Sequence, residues 1–67
     1  MKNDDKPYQL LKARQVAEEL NVSRAMAYRL IQTGHIRSVR INGARRVRPM
    51  DLKRYIEKNL TKSEIHS

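Results

Sequence analysis

The sequence contains no cysteine, no tryptophan and no phenylalanine; its three aromatic residues are all tyrosine. Without cysteine there is no disulfide scaffold, no thiolate metal site and no thiol nucleophile. Glycine and proline occur twice each in 67 residues, which excludes a Pro/Gly-rich low-complexity chain. No apolar run approaches the ~18 residues that span a bilayer. The opening Met1-Lys2-Asn3-Asp4-Asp5-Lys6-Pro7 lacks the apolar core of a signal peptide, so a cytoplasmic protein without a membrane partner is expected. Histidine occurs only as His35 and His66, and no carboxylate–His–nucleophile set or metal-ligand spacing accompanies either. The sequence therefore predicts no catalytic residue, no metal and no cofactor: not an enzyme. A chain this short buries only about 60% of its unfolded surface and has little room for a deep cleft.

The most informative absence is local. Residues 24–50 hold no aspartate or glutamate and no lysine, yet contain Arg24, Arg29, Arg37, Arg40, Arg45, Arg46 and Arg48. The seven acids lie outside this stretch, and the whole chain carries +8. A surface built only for solubility mixes lysine with acids. Arginine presents a planar fork of donors that matches phosphate oxygens or the guanine O6/N7 edge. A small body with this charge predicts a polyanionic partner.

Hydrophobic periodicity supplies the architecture. Ala13, Val16, Ala17 and Leu20 recur at i, i+3, i+4 and i+7, one face of a helix. Asn21 interrupts it, being tolerant of the left-handed conformation that ends helices. Ser23 is a good N-cap for a second helix, whose stripe is Ala27, Leu30 and Ile31 and whose stop is Gly34. Two short helices joined by Asn21-Val22-Ser23, with small Ala17 at the crossing, read as a helix-turn-helix. Before the first helix, Tyr8-Gln9-Leu10-Leu11 is an apolar stretch that suits a strand or a simple anchor. Residues 1–7 read as a flexible lead-in, 8–60 as the folded domain and 61–67 as a flexible tail.

After Gly34 the period becomes two: Val39 and Ile41 alternate with Arg40, and Val47 with Arg46 and Arg48. Asn42-Gly43 between them is a strong hairpin signal. A two-residue turn would pair Ile41 with Ala44 and Val39 with Arg46, leaving Val47 on the other face. An odd loop, Gly43-Ala44-Arg45, puts Ile41 opposite Val47 and is favoured, because a register slip exposes a hydrophobic set. Arg40, Arg46 and Arg48 would then share the outer face, with Arg45 near the tip. A hairpin so rimmed and appended to a helix-turn-helix is a wing. Pro49 opens a third helix with Leu52, Tyr55, Ile56 and Leu60 as its apolar stripe and Asp51 near its positive end. The expected fold is mainly α with a small β-hairpin, a winged helix-turn-helix of three helices plus wing.

Stepping about 100° per residue from buried Ala27 directs Ala25, Arg29 and Gln32 outward, flanked by Met26, Tyr28 and Thr33. Ser23 and Arg24 stand at the helix start, where a recognition helix touches base edges. Arg24 and Arg29 suit guanine or phosphate, Ala25 permits close approach, and the Tyr28 hydroxyl suits a phosphate or partial core packing. Arg14 and Gln15, beside the N-terminus of the first helix, are candidate phosphate contacts. The wing arginines suit a backbone or a narrow minor groove. Arg37, Lys53 and Arg54 fit a solvated surface as well as a contact.

Leu10-Leu11, Val16-Ala17-Glu18-Glu19-Leu20-Asn21-Val22-Ser23-Arg24, Tyr28-Arg29-Leu30-Ile31-Gln32-Thr33-Gly34, Val39-Arg40-Ile41, Arg45-Arg46-Val47-Arg48 and Asp51-Leu52 with Tyr55-Ile56 together resemble the excisionase family of small winged helix-turn-helix proteins, relatives of the MerR DNA-binding domain. The likeness spans roughly residues 8–58. It departs from the family at Lys12, where a Thr or Ser cap is usual, at Asn21, which replaces a turn glycine, and at Asn42-Gly43-Ala44, which thins the run of wing basics. The resemblance implies a second helix in the major groove and a wing in the adjacent minor groove, with Ser23, Arg24, Ala25, Met26 and Arg29 on the recognition surface and Arg45 and Arg46 on the wing. It implies attachment-site double-stranded DNA, bound cooperatively by neighbouring protomers and bent, to direct an integrase toward excision. The alternative is a small MerR-like transcriptional regulator. Regulators of that type carry a dimerising coiled coil and effector domain after the winged portion, which favours excisionase for a chain ending at Ser67. A protein that is monomeric when free and nucleoid-associated through DNA is expected.

Overall fold

A computed structural model describes residues 9–60. The expectations for 1–7, Tyr8 and 61–67 lie outside the described residues. The elements run α1 (Ala13–Leu20), α2 (Arg24–Gln32), β1 (Val39–Ile41), β2 (Ala44–Arg46) and α3 (Pro49–Lys58). Three helices and a two-stranded antiparallel hairpin make a winged helix-turn-helix.

The helix boundaries follow from their end chemistry. Lys12 stands at the N-cap of α1, and an ammonium has no lone pair with which to accept an amide proton. Instead the Gln15 side-chain oxygen accepts the Lys12 backbone N–H at 2.8 Å, the reciprocal half of a capping box. Asn21 ends α1 with φ of 59°, and the Val22 N–H reaches back to the Ala17 carbonyl at 3.0 Å. Two residues later Ser23 caps α2, its hydroxyl accepting the Met26 N–H at 3.0 Å. Gly34, at φ of 83°, turns the chain out of α2. At α3, Pro49 occupies the first turn, where its missing N–H costs nothing.

The core is small: Val16, Ala17, Ala27, Ile31, Ile36, Val47 and Leu52 are buried, with Leu11, Ala13, Leu20, Leu30 and Tyr55 packed around them. Ala17 and Ala27 let α1 and α2 approach closely at their crossing. Ile36 is fully buried although no periodic pattern surrounds it; its N–H bonds to the Leu30 carbonyl at 3.1 Å, folding the loop after α2 back over the core. The α3 stripe is narrower than its spacing predicts. Leu52 is buried and Tyr55 half-buried, but Ile56 is 45% exposed and Leu60, beyond the helix end, 67% exposed.

The hairpin corrects the expected register. Val39 pairs with Arg46, Arg40 with Arg45 and Ile41 with Ala44. The loop is therefore the two-residue Asn42-Gly43, not the odd loop. Both loop residues have positive φ, 51° and 88°, as a type I′ turn requires, and that turn matches the right-handed twist of the strands. The odd loop presupposes that Ile41 and Val47 share one buried face. They do not: Val47 is fully buried while Ile41 is 50% exposed. Val47 pairs with Leu11 in an isolated antiparallel bridge, the two residues exchanging N–H···O bonds of 2.8 and 2.9 Å. The stretch before α1 is thus tied to the base of the hairpin, at the end opposite the turn. In consequence Arg45 is not at the tip, and Arg40, Arg46 and Arg48 do not share an outer face: Arg40 stands directly across from Arg45, and Arg46 lies on the opposite face, across from Val39.

Candidate nucleic-acid interface

The outward side of α2 is open. Ser23, Arg24, Ala25, Met26, Tyr28, Arg29 and Gln32 are all exposed, while Ala27 and Ile31 turn inward. The 3.6-residue period thus places every candidate of the recognition helix on one accessible surface. Ser23, Ala25, Met26 and Arg29 line a shallow depression of about 190 Å³ at the start of the helix. Near the other end, the Gln32 amide donates to the Tyr28 hydroxyl at 2.7 Å, and the Thr33 hydroxyl lies 2.7 Å from both the Arg29 carbonyl and His35 Nδ1.

The hairpin brings Arg40, Arg45 and Arg46 alongside. Arg45 Nη1 reaches the Ser38 hydroxyl at 3.4 Å, and Arg46 Nη1 donates to the Arg45 carbonyl at 2.9 Å. Ser38 escapes sequence reasoning because its place beside Arg45 depends on the even register. A cleft of about 370 Å³ separates this hairpin from Tyr28 and Gln32, with Ala13 on its third side.

Arg48 is placed differently from the other wing arginines. Its Nε donates to Asp51 Oδ2 at 2.6 Å and its Nη2 to Asp51 Oδ1 at 2.9 Å, a bidentate pair across the first turn of α3. The Asp51 side chain is only 2% exposed. The hydrogen bond from Arg48 holds its carboxyl below the usual range, burial opposes that, and the positive charges of Arg48, Arg37 and Arg54 add to the lowering. The same hydrogen bond raises the Arg48 guanidinium. Arg48 thus braces the start of α3. Gln15 is half-buried and its oxygen is occupied by the Lys12 N–H, whereas Arg14 is exposed.

Among the described residues, no three His, Cys, Asp or Glu side chains gather as metal ligands, and no described helix is long and apolar enough to cross a membrane. Neither the curated proteins nor the solved structures give a match to this chain. A family model does, described as a helix-turn-helix domain and covering residues 10–60. That span takes in both helices of the turn, the hairpin and α3, and with the open α2 face it implies DNA binding. The chain belongs to the helix-turn-helix domain family.

Proposed function

We propose that this protein is an excisionase: a sequence-specific factor that binds and bends attachment-site double-stranded DNA and so directs an integrase toward excision. The observation that carries the DNA-binding part is the exposed α2 face, with Arg24, Ala25, Met26 and Arg29 at its start, beside an arginine hairpin in a stretch free of acids. The excision role rests on the resemblance of residues 8–58 to that family.

In this reading α2 lies in the major groove. Arg24 and Arg29 take guanine edges or adjoining phosphates, and Ala25 and Met26 meet thymine methyl groups. Arg14 and the first amides of α1 take a phosphate, as does the free amide of Gln15. Arg40, Arg45 and Arg46 follow the backbone beside the neighbouring minor groove. Arg48 uses only its outward donors. A groove of about 560 Å³ lined by Leu11, Pro49, Leu52 and Ile56 together with Glu19, Lys53 and Glu57 includes none of these DNA-facing residues; its mix of apolar and charged lining supports a protein neighbour on the DNA.

Footprinting on DNA flanking the encoding element tests the reading. Arrayed direct repeats beside a recombination core, with excision in cells lost on deletion of the protein, are the expected result. A single site over a promoter, with excision unaffected, makes it a transcriptional regulator instead. Within the interface, Arg29→Ala lowers preference for the cognate duplex over a scrambled one by about 1–3 kcal/mol in gel shifts; equal losses on both duplexes reassign Arg29 to a phosphate.

A further inference from the structure

The cleft between α2 and the hairpin has properties that the fold does not require. Arg40 and Arg45 stand directly across from one another on the two strands. Like charges at such positions, with Cβ atoms about 5 Å apart, destabilise a sheet. No carboxylate lines the cleft. Among the described residues the one ion pair is that of Arg48 with Asp51, which leaves Arg40 and Arg45 without an acidic partner. Arg45 is also held in place, by its contact with Ser38.

The opposite wall carries a polarised hydroxyl. Gln32 Nε2 donates to the Tyr28 oxygen at 2.7 Å. An amide donor occupies the phenol's acceptor side, so the phenolic proton is free to be given to something else. Tyr28 and Gln32 both line the cleft. Two arginines paired across the strands, a hydroxyl turned donor and an acid-free lining are the chemistry of a site for a tetrahedral oxyanion.

We propose that this cleft seats a single phosphodiester group of the DNA, on the strand that runs between the groove read by α2 and the groove beside the hairpin. The inference rests on the DNA-binding reading above and names one contact within it. Arg40 and Arg45 neutralise the phosphate and Tyr28 donates its hydroxyl to it. Gln32 is a positioning residue, acting through Tyr28. Because the cleft is walled by both elements, the phosphate fixes the register of helix and hairpin on the duplex together. A free phosphate ion has the same chemistry, but the cleft opens between two DNA-facing elements, which favours a group that belongs to a strand.

The test uses the full chain and a short duplex that it selects from a randomised pool, followed by fluorescence anisotropy. Neutral methylphosphonates are walked one at a time along the strand. One position is expected to cost wild type about tenfold in affinity. Tyr28→Phe and the double variant Arg40→Ala/Arg45→Ala each lose about tenfold on unmodified DNA and almost nothing more on the duplex neutralised at that position. Gln32→Leu loses less than Tyr28→Phe. Gln32→Glu loses more than Gln32→Leu, since its carboxylate accepts the hydrogen bond of the Tyr28 hydroxyl, diverting that donor from the phosphate, and adds a negative charge. Circular dichroism melting confirms that each variant is folded.

Losses by Tyr28→Phe and the double variant that stay the same on every methylphosphonate duplex overturn the proposal and leave DNA binding intact. Full affinity in Tyr28→Phe likewise removes the hydroxyl from the contact. Competition by inorganic phosphate, beyond that of chloride at matched ionic strength, overturns the strand assignment and makes the cleft a free-anion site. A wild type that selects no duplex from the pool removes the DNA reading itself, and this inference with it.

Discussion

The start of α3 and the hairpin lie only a few residues apart and both depend on arginine, yet the residue does opposite things in them. At α3, Arg48 meets a carboxylate, Asp51, in a bidentate pair that braces the first helical turn. In the hairpin, Arg40 meets another arginine. The first arrangement lowers the energy of the folded chain by itself. The second raises it, and is relieved only when negative charge arrives from outside. The contrast separates an arginine that holds the fold from a pair that, in the reading proposed above, serves a ligand: the presence of an acid three residues away marks the first.

The sharpest way to break this contrast is to give the hairpin its own acid. Arg45→Glu creates an opposite-charge pair with Arg40. The domain is expected to melt no lower than wild type, while affinity for duplex DNA falls by about 100-fold. A variant that loses stability and keeps affinity would reverse the roles assigned to the two regions. A milder change, Arg45→Ala with Arg46→Ala, is expected to flatten the dependence of log affinity on log salt by about two units. An unchanged slope in a salt titration would take the hairpin off the phosphates.

The opposite experiment removes the acid from α3. Asp51→Asn is expected to cost about 1–2 kcal/mol, several degrees of melting temperature in a domain this small, with DNA affinity unchanged well below the melting point. The pH dependence follows in sign. The Asp51 carboxyl is held low in the folded chain, chiefly by the Arg48 hydrogen bond. Its contribution is present above the unfolded carboxylate value of about 3.9 and is lost as pH falls through that value toward the folded one. Melting curves below about pH 4 should therefore converge for wild type and Asp51→Asn. The smallest effect is expected at the turn. Gly43 has φ of 88° with open space around it, so Gly43→Ala adds only the strain of a left-handed residue, about 1 kcal/mol. A larger loss in thermal melting would mean that the turn packs against something.

Much of this molecule was legible because helices announce both their faces and their ends. Ala13, Val16, Ala17 and Leu20, then Ala27 and Ile31, mark the buried sides; Asn21 and Gly34 mark the stops and Ser23 a start. Once Ala27 is fixed as buried, rotation alone brings Ala25, Arg29 and Gln32 to the outside. The hairpin register was not legible by the same reasoning. Period-two patterning assumes one continuous buried face, and Val47 is buried instead through its partnership with Leu11, a residue 36 positions earlier. Turn chemistry at Asn42-Gly43 carried the right answer and the hydrophobic pattern the wrong one. Ile36 was hidden for a related reason: a single apolar residue between His35 and Arg37 has no period to declare it. Arg48 shares the residue type of its neighbours, and only its bidentate pair with Asp51, a contact of the folded helix start, sets it apart.

The Leu11–Val47 bridge has a mechanical meaning. It clamps the base of the hairpin to the segment that leads into α1, and α1 packs directly on α2. Hairpin and second helix are thus mounted on one frame. If α2 and the hairpin engage one duplex together, as proposed above, that frame fixes the distance between them, and tracts of DNA soft enough to be drawn to it are expected to be preferred even at positions no side chain reaches.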